Sequence, residues 1–225
     1  MIELKNLGFS YGETPIFNGL NCTFQSGRFY GIFGANGSGK STLLKMITGE
    51  LKPDSGVVQP CYKNVLERAQ MIGFMEQHQV EMLPLTVQEV VALGSYPWRR
   101  AKRESSIEPV LDQLHLQSLR NRAYNTLSGG EKQRVMLARI LAQNTSVLLL
   151  DEPFSSLDFG NQHLFYRILK ALAEQGKCVI MVSHDVFVSA DYLDEALFLK
   201  DGRIYCQGAP GKIFSKELFS EIYMK

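Results

Sequence analysis

The sequence predicts an α/β fold with a parallel sheet, and three apolar runs support this prediction. Arg28–Phe33 has the pattern of a buried strand that leads into a glycine-rich segment. Val147–Leu150 is short and continuously apolar, as a parallel strand covered on both faces must be. Cys178–Val182 is a further apolar strand that ends in polar residues. Ligands bind at the carboxyl ends of such strands, so the residues that follow each run are the first candidates for a functional site.

The composition is that of a globular chain able to bury a sizeable core. The chain has 225 residues, of which 45% are hydrophobic and 21% are charged. A net charge of +1 argues against a strongly basic nucleic-acid surface. No apolar run approaches the ~18 residues that a membrane span needs, and the first residues alternate like a strand, with no secretory signal visible. The scattered cysteines form no C-x-x-C pair, which suits reduced thiols in a cytosolic protein.

Gly34–Ser41 complete the pattern G-x-x-x-x-G-K-[ST] of a phosphate-binding loop. The glycines allow the backbone to pass close to phosphate oxygens, and successive N–H groups then converge on the anion. Lys40 offers a cation to the β- and γ-phosphates, and the Ser41 hydroxyl is placed to ligate Mg²⁺. A merely glycine-rich turn would not need the Lys-Ser pair, so the segment predicts nucleotide binding.

The segments that follow the loop predict mainly helices. Ser41–Thr48 carries apolar residues at helical spacing and is followed by a glycine as a stop signal. Gly56–Ile72 is compact, and the sequence leaves its geometry open. Thr86–Glu89 is a capping box that begins a short helix ending near Gly94. Ser106–His115 again shows apolar residues at helical spacing.

The C-terminal part predicts a hairpin and a terminal helical segment. Leu197–Cys206 reads as two strands around the turn Asp201-Gly202. Pro210–Lys225 reads as one or two short helices. The residues of this segment that we expect to pack inward are Ile213, Phe214, Leu218, Phe219 and Ile222.

Two acids stand directly after the strand Val147–Leu150. Asp151 can hold Mg²⁺ through its water shell, as the second acid of phosphate-loop NTPases does. Glu152 stands one residue nearer the γ-phosphate and can accept a proton from an attacking water. Alone, two acids here would be a solvated strand end. Together with Gly34–Ser41 they predict a hydrolytic site.

Leu127–Glu131 reads Leu-Ser-Gly-Gly-Glu and begins an amphipathic helix. Ser128 and Glu131 form a capping box, which is a complete structural explanation by itself. A capping box does not need Gly129 and Gly130, because glycine destabilises the first turn of a helix. The glycines make sense if a second anion reaches the free N–H groups at the positive helix end. Since the chain already has one phosphate site at Lys40, this second set of N–H donors suggests that a second molecule takes part.

The order of these motifs resembles the ATP-binding subunits of ABC transporters, and the resemblance covers nearly the whole chain. It implies a single ABC ATPase domain over residues 1–225. This fold has a phosphate-loop NTPase core with an antiparallel β subdomain and an inserted helical subdomain. The core is expected over residues 1–77 and 145–225, and the insert over about 78–144. The resemblance also implies a head-to-tail dimer that encloses two ATP molecules, each between Lys40 of one copy and Ser128–Gly130 of the other.

The resemblance implies ATP and Mg²⁺ as cofactors and assigns the site residue by residue. Expected catalytic residues are Glu152, His184 and Gln77, and expected metal ligands are Ser41, Gln77 and Asp151. Expected nucleotide contacts are Tyr11, Gly34, Ala35, Asn36, Gly37, Ser38, Gly39, Lys40, Ser41, Thr42, Ser128, Gly129, Gly130 and Asp158.

Several of these positions have simpler interpretations. Tyr11 matches the aromatic residue that stacks on adenine, although without the resemblance it would be a plain strand or hairpin residue. Gln77 matches the glutamine that reaches Mg²⁺ and water, with Gln79 as a nearby competitor. His184 matches the histidine that contacts the γ-phosphate, where the default would be a capping or surface role. Asp158 matches a loop that crosses the dimer interface.

The resemblance further implies separate membrane permease subunits and, indirectly, an exported substrate-binding protein, with no nucleic-acid partner. The subunit would be cytoplasmic and peripheral on the inner face of the cell membrane. Val90–Pro97 resembles the corresponding stretch in the ATPase subunits of importers of ferric siderophores, haem and cobalamin. A zinc or manganese importer and a soluble non-transport ABC ATPase remain alternatives. The stretch from His78 to Trp98, with Met82, Leu83 and Tyr96, is predicted to be an exposed docking surface.

Overall fold

A computed structural model describes residues 1–77, 84–101, 107–154 and 159–223. Its strands form two sheets, one antiparallel and one mostly parallel. The antiparallel sheet has the order β2-β1-β4, with β1 at Ile2–Tyr11, β2 at Thr14–Phe24 and β4 at Ser55–Gln59. The α/β class and the antiparallel β subdomain predicted from the sequence are therefore confirmed.

The larger sheet has the order β5-β6-β7-β3-β8-β9. The strands are β3 (Arg28–Phe33), β5 (Ile72–Met75), β6 (Val147–Asp151), β7 (Cys178–Val182), β8 (Glu195–Lys200) and β9 (Arg203–Gly208). The first five strands in this order run parallel to their neighbours, and β9 closes one edge antiparallel to β8. The predicted hairpin turn is present, with positive φ at both Asp201 and Gly202.

Helices connect the strands and cover the larger sheet. The α-helices are α1 (Lys40–Ile47), α2 (Val65–Met71), α3 (Val87–Ala92), α4 (Glu108–Gln113), α5 (Gly129–Ala142), α6 (Phe159–Glu174), α7 (Val186–Ser189), α8 (Pro210–Ile213) and α9 (Lys216–Tyr223). Short 3₁₀ helices lie at Leu93–Ala101, Gln117–Leu119 and Tyr124–Thr126. Within the described residues between β5 and β6, all regular elements except one isolated bridge are helical. The domain boundaries at residues 77 and 145 stay a prediction.

Two hydrophobic clusters sit on opposite faces of the larger sheet. One joins the antiparallel sheet and α1 to the larger sheet through residues such as Leu7, Leu43 and Ile180. The other joins the helical segment to the sheet, so that Val87 and Val135 pack in one cluster with residues of β6 and α6. The helical segment thus shares a continuous core with the strands that carry the site.

Local structure refines several sequence predictions. The helix predicted to end near Gly94 stops at Ala92 and continues as the 3₁₀ helix Leu93–Ala101, which contains Pro97. Proline there removes a backbone donor and disfavours α-helix for the residue before it. The helix predicted over residues 106–115 is α4, which is shorter at both ends. The segment whose geometry was open contains α2, capped by the Asn64 side chain.

The inward-facing residues of the C-terminal segment are confirmed. Leu218 and Ile222 are buried in the cluster with the helical segment, and Ile213, Phe214 and Phe219 pack against it. In the described part of the chain, no helix combines the length and apolarity needed to cross a bilayer.

Candidate active site

Four neighbouring parallel strands end at one edge of the larger sheet, and a predicted site segment follows each of them. Gln77 follows β5, Glu152 follows β6, His184 follows β7 and the glycine-rich loop follows β3. Carboxyl ends of adjacent parallel strands are where open α/β sheets bind ligands. The edge forms a cavity of about 500 Å³. Its lining residues are Tyr11, Ile16, Asn36, Gly37, Gly39, Lys40, Ser41, Thr42, Gln77, Glu152 and His184.

The loop between β3 and α1 needs its glycines for two reasons. Gly34, Gly37 and Gly39 all have positive φ, a region that side chains other than glycine rarely adopt. At Gly34 a Cβ atom would also lie 2.4 Å from the backbone oxygen of Leu199 on β8. The loop is therefore folded tightly onto the sheet, and its shape depends on the residue types that the sequence pattern specifies.

Lys40 is 6% exposed and begins α1. Its Nζ donates hydrogen bonds to the backbone oxygens of Gly34 at 2.8 Å and Ala35 at 3.0 Å. Burial lowers the pKa of Lys40, and the nearby Glu152 and Asp151 carboxylates oppose this shift. The ammonium group is thus held inside the loop as a partly desolvated cation, where it can interact strongly with phosphate oxygens.

Asp151 is 4% exposed at the end of β6. Burial raises the pKa of this carboxyl group, and a hydrogen bond from Ser41 acts in the opposite direction. Its Oδ1 atom is buried and makes no hydrogen bond to another described residue. An unsatisfied buried carboxylate oxygen beside a serine hydroxyl fits a hard divalent cation such as Mg²⁺, which takes oxygen ligands.

Glu152 has φ +49°, a left-handed conformation that is uncommon for a residue other than glycine. Its backbone N–H donates to the Val182 oxygen at 3.0 Å, which ties the residue to the end of β7. Conformations of this kind cost of order 1–3 kcal/mol and cluster at functional sites. Here the strained backbone turns the carboxylate into the cavity instead of continuing along β6.

The Glu152 carboxylate is held from both sides. The side-chain amide of Gln77 donates to Oε2 at 2.7 Å, and His184 Nε2 lies 2.6 Å from Oε1. The structure thus brings together the three predicted catalytic residues around one carboxylate. Gln77 is the glutamine placed there, and its competitor Gln79 lies outside the described residues.

The loop that carries His184 is fixed by backbone and side-chain contacts. Ser183 donates its N–H to the Ile32 oxygen at 3.3 Å, which joins the loop to β3. Asp185 caps α7, since its Oδ1 accepts from the Val188 amide at 3.1 Å. The imidazole itself is 45% exposed and points into the cavity edge, where it can reach an incoming ligand.

Tyr11 lies at the rim of the cavity. Its ring is 49% exposed and stands edge-on to Phe9, with 4.9 Å between the ring centroids and an angle of 86°. Such packing fixes the ring plane while leaving one side open, as stacking on a flat base requires.

The predicted second anion site lies elsewhere in the chain. Ser128 caps α5: its Oγ accepts from the Glu131 amide at 3.4 Å and its N–H donates to Glu131 Oε2 at 2.7 Å. The bond from the Ser128 backbone lowers the pKa of Glu131. Ser128 and Gly129 are exposed and do not line the cavity at Lys40. Asp158 lies outside the described residues.

Two residues near the loop carried no signal in the sequence. Ile16 lines the cavity between Tyr11 and the loop, yet an apolar residue in a strand has no distinguishing pattern. Tyr223 accepts a hydrogen bond from the Gly34 amide at 3.3 Å. It lies 189 positions away in a helix that the sequence marks only as core packing.

This geometry is that of a phosphate-loop nucleotide hydrolase. A family profile described as "ABC transporter" matches residues 17–155. The hemin import ATP-binding protein HmuV of Escherichia coli O157:H7 is 33% identical over 235 residues, covering 99% of this chain and 92% of that protein. The chain therefore belongs to the ABC transporter family, as an ATP-hydrolysing subunit.

Solved structures agree with this assignment. One described as the ATP-binding subunit of an ABC transporter covers 99% of this chain and 99% of its own with a TM-score of 0.89, and at 22% identity it supports the fold. A dimeric ATP-binding cassette in a post-hydrolysis state, bound to ADP and phosphate, is 32% identical. It covers 93% of this chain and 99% of its own, with a TM-score of 0.80. The predicted fold class and ATPase activity are thereby confirmed.

Proposed function

We propose that this subunit powers import of haem or a related ferric chelate, by closing as a dimer on two ATP molecules. The main observation behind this proposal is that Gln77 and His184 hold the Glu152 carboxylate at the mouth of the phosphate loop. Three polar groups from three separate strands converge there on the position where a γ-phosphate would end. That arrangement suits attack of water on a phosphate ester, since it provides a base and two orienting groups.

In the proposed reaction, Lys40 and the loop amides bind the β- and γ-phosphates. A water attacks the γ-phosphorus, the bond from that phosphorus to the bridging oxygen of ADP breaks, and Glu152 accepts the proton from the water. Gln77 orients the water, and His184 donates from Nε2 to the γ-phosphate. Ser41, Asp151 and Gln77 would hold Mg²⁺, which supplies charge neutralisation for the phosphates when bound. Tyr11 stacks on the adenine.

The dimer is proposed from the position of Ser128–Gly130. These residues lie at the start of α5, a helix of 14 residues; Ser128 and Gly129 are exposed, and none of the three lines the cavity at Lys40. A helix start with free N–H groups favours an anion. The γ-phosphate held at Lys40 of one copy would therefore contact Ser128–Gly130 of the other. Asp158 is expected in a loop that crosses the same interface. Hydrolysis removes the shared charge, so that the dimer opens.

A group of exposed apolar side chains supports a proposal for the partners. Leu66 and Met71 of α2, and Leu93 and Tyr96 of the 3₁₀ helix, are all exposed. The two elements are joined by a hydrogen bond from Gln70 Nε2 to the Pro97 oxygen at 2.9 Å. Such a patch suits a protein contact. We propose that the permease subunits dock there, with this subunit peripheral on the cytoplasmic face of the membrane and an exported substrate-binding protein acting from the other side.

The substrate proposal rests on the relatives named for hemin import and on the stretch Val90–Pro97. A zinc or manganese importer ATPase and a soluble non-transport ABC ATPase are the alternatives. A chromosomal deletion complemented with wild type or Glu152→Gln separates them. The expected result is that wild type alone restores growth on haem as the iron source. Rescue only under zinc or manganese limitation would support the first alternative, and no effect on any uptake would support the second.

A further inference from the structure

The C-terminal helix α9 contacts Gly34, the first residue of the phosphate loop. The amide N–H of Gly34 donates to the Tyr223 hydroxyl oxygen, with 3.3 Å between the two atoms. Tyr223 is the last residue of α9 and is 40% exposed. Gly34 is also the residue whose close approach to β8 excludes any side chain. The hydroxyl thus caps the end of β3 at the point where the chain turns into the loop.

Helix α9 is well anchored just before Tyr223. Lys200 Nζ, at the end of β8, donates to the backbone oxygen of Glu221 at 2.9 Å. The Tyr205 hydroxyl on β9 donates to the Glu221 carboxylate. Leu218 and Ile222 of α9 are buried in the hydrophobic core. These contacts fix the end of α9 to the strand next to β3, so Tyr223 is held in place rather than free at the end of a loose helix.

The same helix reaches the segment that carries His184. The Phe219 ring lies 5.5 Å from the Phe187 ring and 6.5 Å from the Tyr223 ring, measured between centroids. Phe187 is in α7, three residues after His184. His184 and Tyr223 line one surface depression of about 870 Å³, together with Phe187 and Phe219. An aromatic bridge therefore runs from the His184 loop through Phe219 to the residue bonded to Gly34.

We propose that Tyr223 is a positioning residue for ATP hydrolysis: through its bond to Gly34 and its contact with Phe219 it holds the phosphate loop in register with His184. The inference rests on the proposed roles of Lys40 and His184 in binding the phosphates. The loop approaches the γ-phosphate from β3 and His184 approaches it from β7. Their separation is set partly by the sheet and partly by this bridge on the outside of it.

Loss of the bridge should affect turnover more than binding. The loop amides and Lys40 hold the phosphates whether or not His184 is well placed, so affinity for ATP should change little. The position of His184 relative to the phosphate loop should affect mainly the energy of the transition state, when charge shifts during attack on the γ-phosphorus. An interaction made mainly in the transition state lowers kcat without raising KM when it is removed.

The test is Tyr223→Phe, which removes only the hydroxyl and leaves the ring contact with Phe219. Tyr30→Phe is a matched control, because the Tyr30 hydroxyl also accepts from a backbone amide, that of Gln25 at 2.9 Å, near the other end of β3. Rates are measured with Mg-ATP at protein concentrations where turnover per subunit no longer rises. The expected result for Tyr223→Phe is a fall in kcat of about two- to tenfold, the scale of one hydrogen bond, with KM within about twofold. Tyr30→Phe should leave both unchanged while lowering Tm.

A double-mutant cycle with His184→Ala distinguishes positioning of the loop against His184 from a purely structural role of Tyr223. The rate of hydrolysis is measured under single-turnover conditions. If Tyr223 acts through the placement of the loop against His184, Tyr223→Phe should have less than about a twofold effect on the rate once the imidazole is gone. Equal effects in both backgrounds, or a rise in KM with kcat unchanged, would overturn the proposal. Lys40→Ala is the arm that tests the site itself: normal ATP binding in that variant would refute the proposed phosphate site, independently of Tyr223.

Discussion

Glu152 and His184 are paired directly, with 2.6 Å between Oε1 and Nε2. Since Gln77 occupies the other carboxylate oxygen at 2.7 Å, the proposed base is engaged from both sides. A water that gives its proton to Glu152 needs one of these oxygens. When the γ-phosphate binds, it can accept the hydrogen bond from His184 in place of Glu152. Glu152 Oε1 is then free to accept a proton from the water. Binding of the substrate would thereby release the base that acts on it.

The first prediction concerns this carboxylate. Glu152→Gln should keep ATP affinity, because Lys40 and the loop amides are untouched. Hydrolysis should fall by about 10²–10⁴, the range for loss of a positioned general base. Phosphate release at saturating Mg-ATP and binding of a fluorescent ATP analogue measure the two effects. Near-normal turnover would remove Glu152 from the role of base. The exposed Glu50→Gln serves as a control and should match wild type.

The second prediction concerns the shared site. The Glu152→Gln protein should dimerise with Mg-ATP and return to monomer with ADP, which size-exclusion chromatography with light scattering can follow. Adding Gly129→Asp should abolish the dimer while sparing ATP binding, because a carboxylate would face the γ-phosphate of the other copy. Gly129 is the first residue of α5, where an acid suits the helix dipole, so folding should be retained.

The control for this prediction is Asn125→Asp, which adds the same charge at an exposed position in the preceding 3₁₀ helix. It should dimerise like the parent. A dimer that survives Gly129→Asp would contradict the placement of Ser128–Gly130 in the site of a second copy. A parent protein that stays monomeric in saturating ATP would mean that closure needs the membrane subunits.

The third prediction concerns stability and pH. Burial raises the pKa of Asp151, so the folded state holds its proton more tightly than the unfolded state does. The free energy of unfolding therefore falls as pH rises from the ordinary aspartate range through the raised pKa, and the full cost is present above it. Asp151→Asn removes that cost. Its Tm without nucleotide should exceed that of wild type at neutral pH, by about 2–4 °C for each kcal/mol gained.

The difference in Tm should shrink as pH is lowered through the raised pKa of Asp151, because the wild-type carboxyl group then takes up its proton in the folded state. Mg-ATP should raise the Tm of wild type more than that of Asp151→Asn, because Mg²⁺ interacts more favourably with a carboxylate at position 151 than with a neutral amide. The exposed Asp191→Asn is a matched control and should behave like wild type at every pH. A lower Tm for Asp151→Asn at neutral pH would show that the charge is satisfied by its neighbours.

The site could be predicted from the sequence wherever local backbone chemistry specifies it. The positive φ values at Gly34, Gly37 and Gly39 follow from the loop pattern, and the capping box at Ser128 follows from its spacing to Glu131. Contacts that depend on strand order could not be predicted from residue patterns alone. The bond between Gln77 and Glu152 spans 75 positions and exists because β5 and β6 are neighbours. The Gly34–Tyr223 bond also joins distant parts of the chain, because α9 is held against the end of β8, which neighbours β3.

The described residues of the predicted docking stretch differ in their exposure. Met82 and Leu83 lie outside the described residues, and Tyr96 is exposed as expected. Trp98 is only partly exposed, because its Nε1 donates to the Gln143 oxygen at 2.6 Å and fixes the 3₁₀ helix to the end of α5. An aromatic residue in a mixed segment gives no sign of which side it faces. A charge at Trp98 would therefore test folding rather than docking.

The last prediction uses Tyr96 as the probe of the docking surface. Its side chain is 62% exposed, and its ring contacts the Arg99 guanidinium at 5.3 Å from the centroid. Tyr96→Glu should leave the isolated subunit folded, with the Tm and the basal ATPase rate of wild type, because no buried contact is lost. A carboxylate in the centre of an apolar interface would be desolvated, which costs several kcal/mol, and an ion pair with the nearby Arg99 would offset only part of that cost. Uptake in cells, and copurification with the permease, should therefore be lost, whereas Tyr96→Phe should preserve both. Normal uptake by Tyr96→Glu would place the docking surface elsewhere on the subunit, and an unfolded Tyr96→Glu would mean that this side chain belongs to the core.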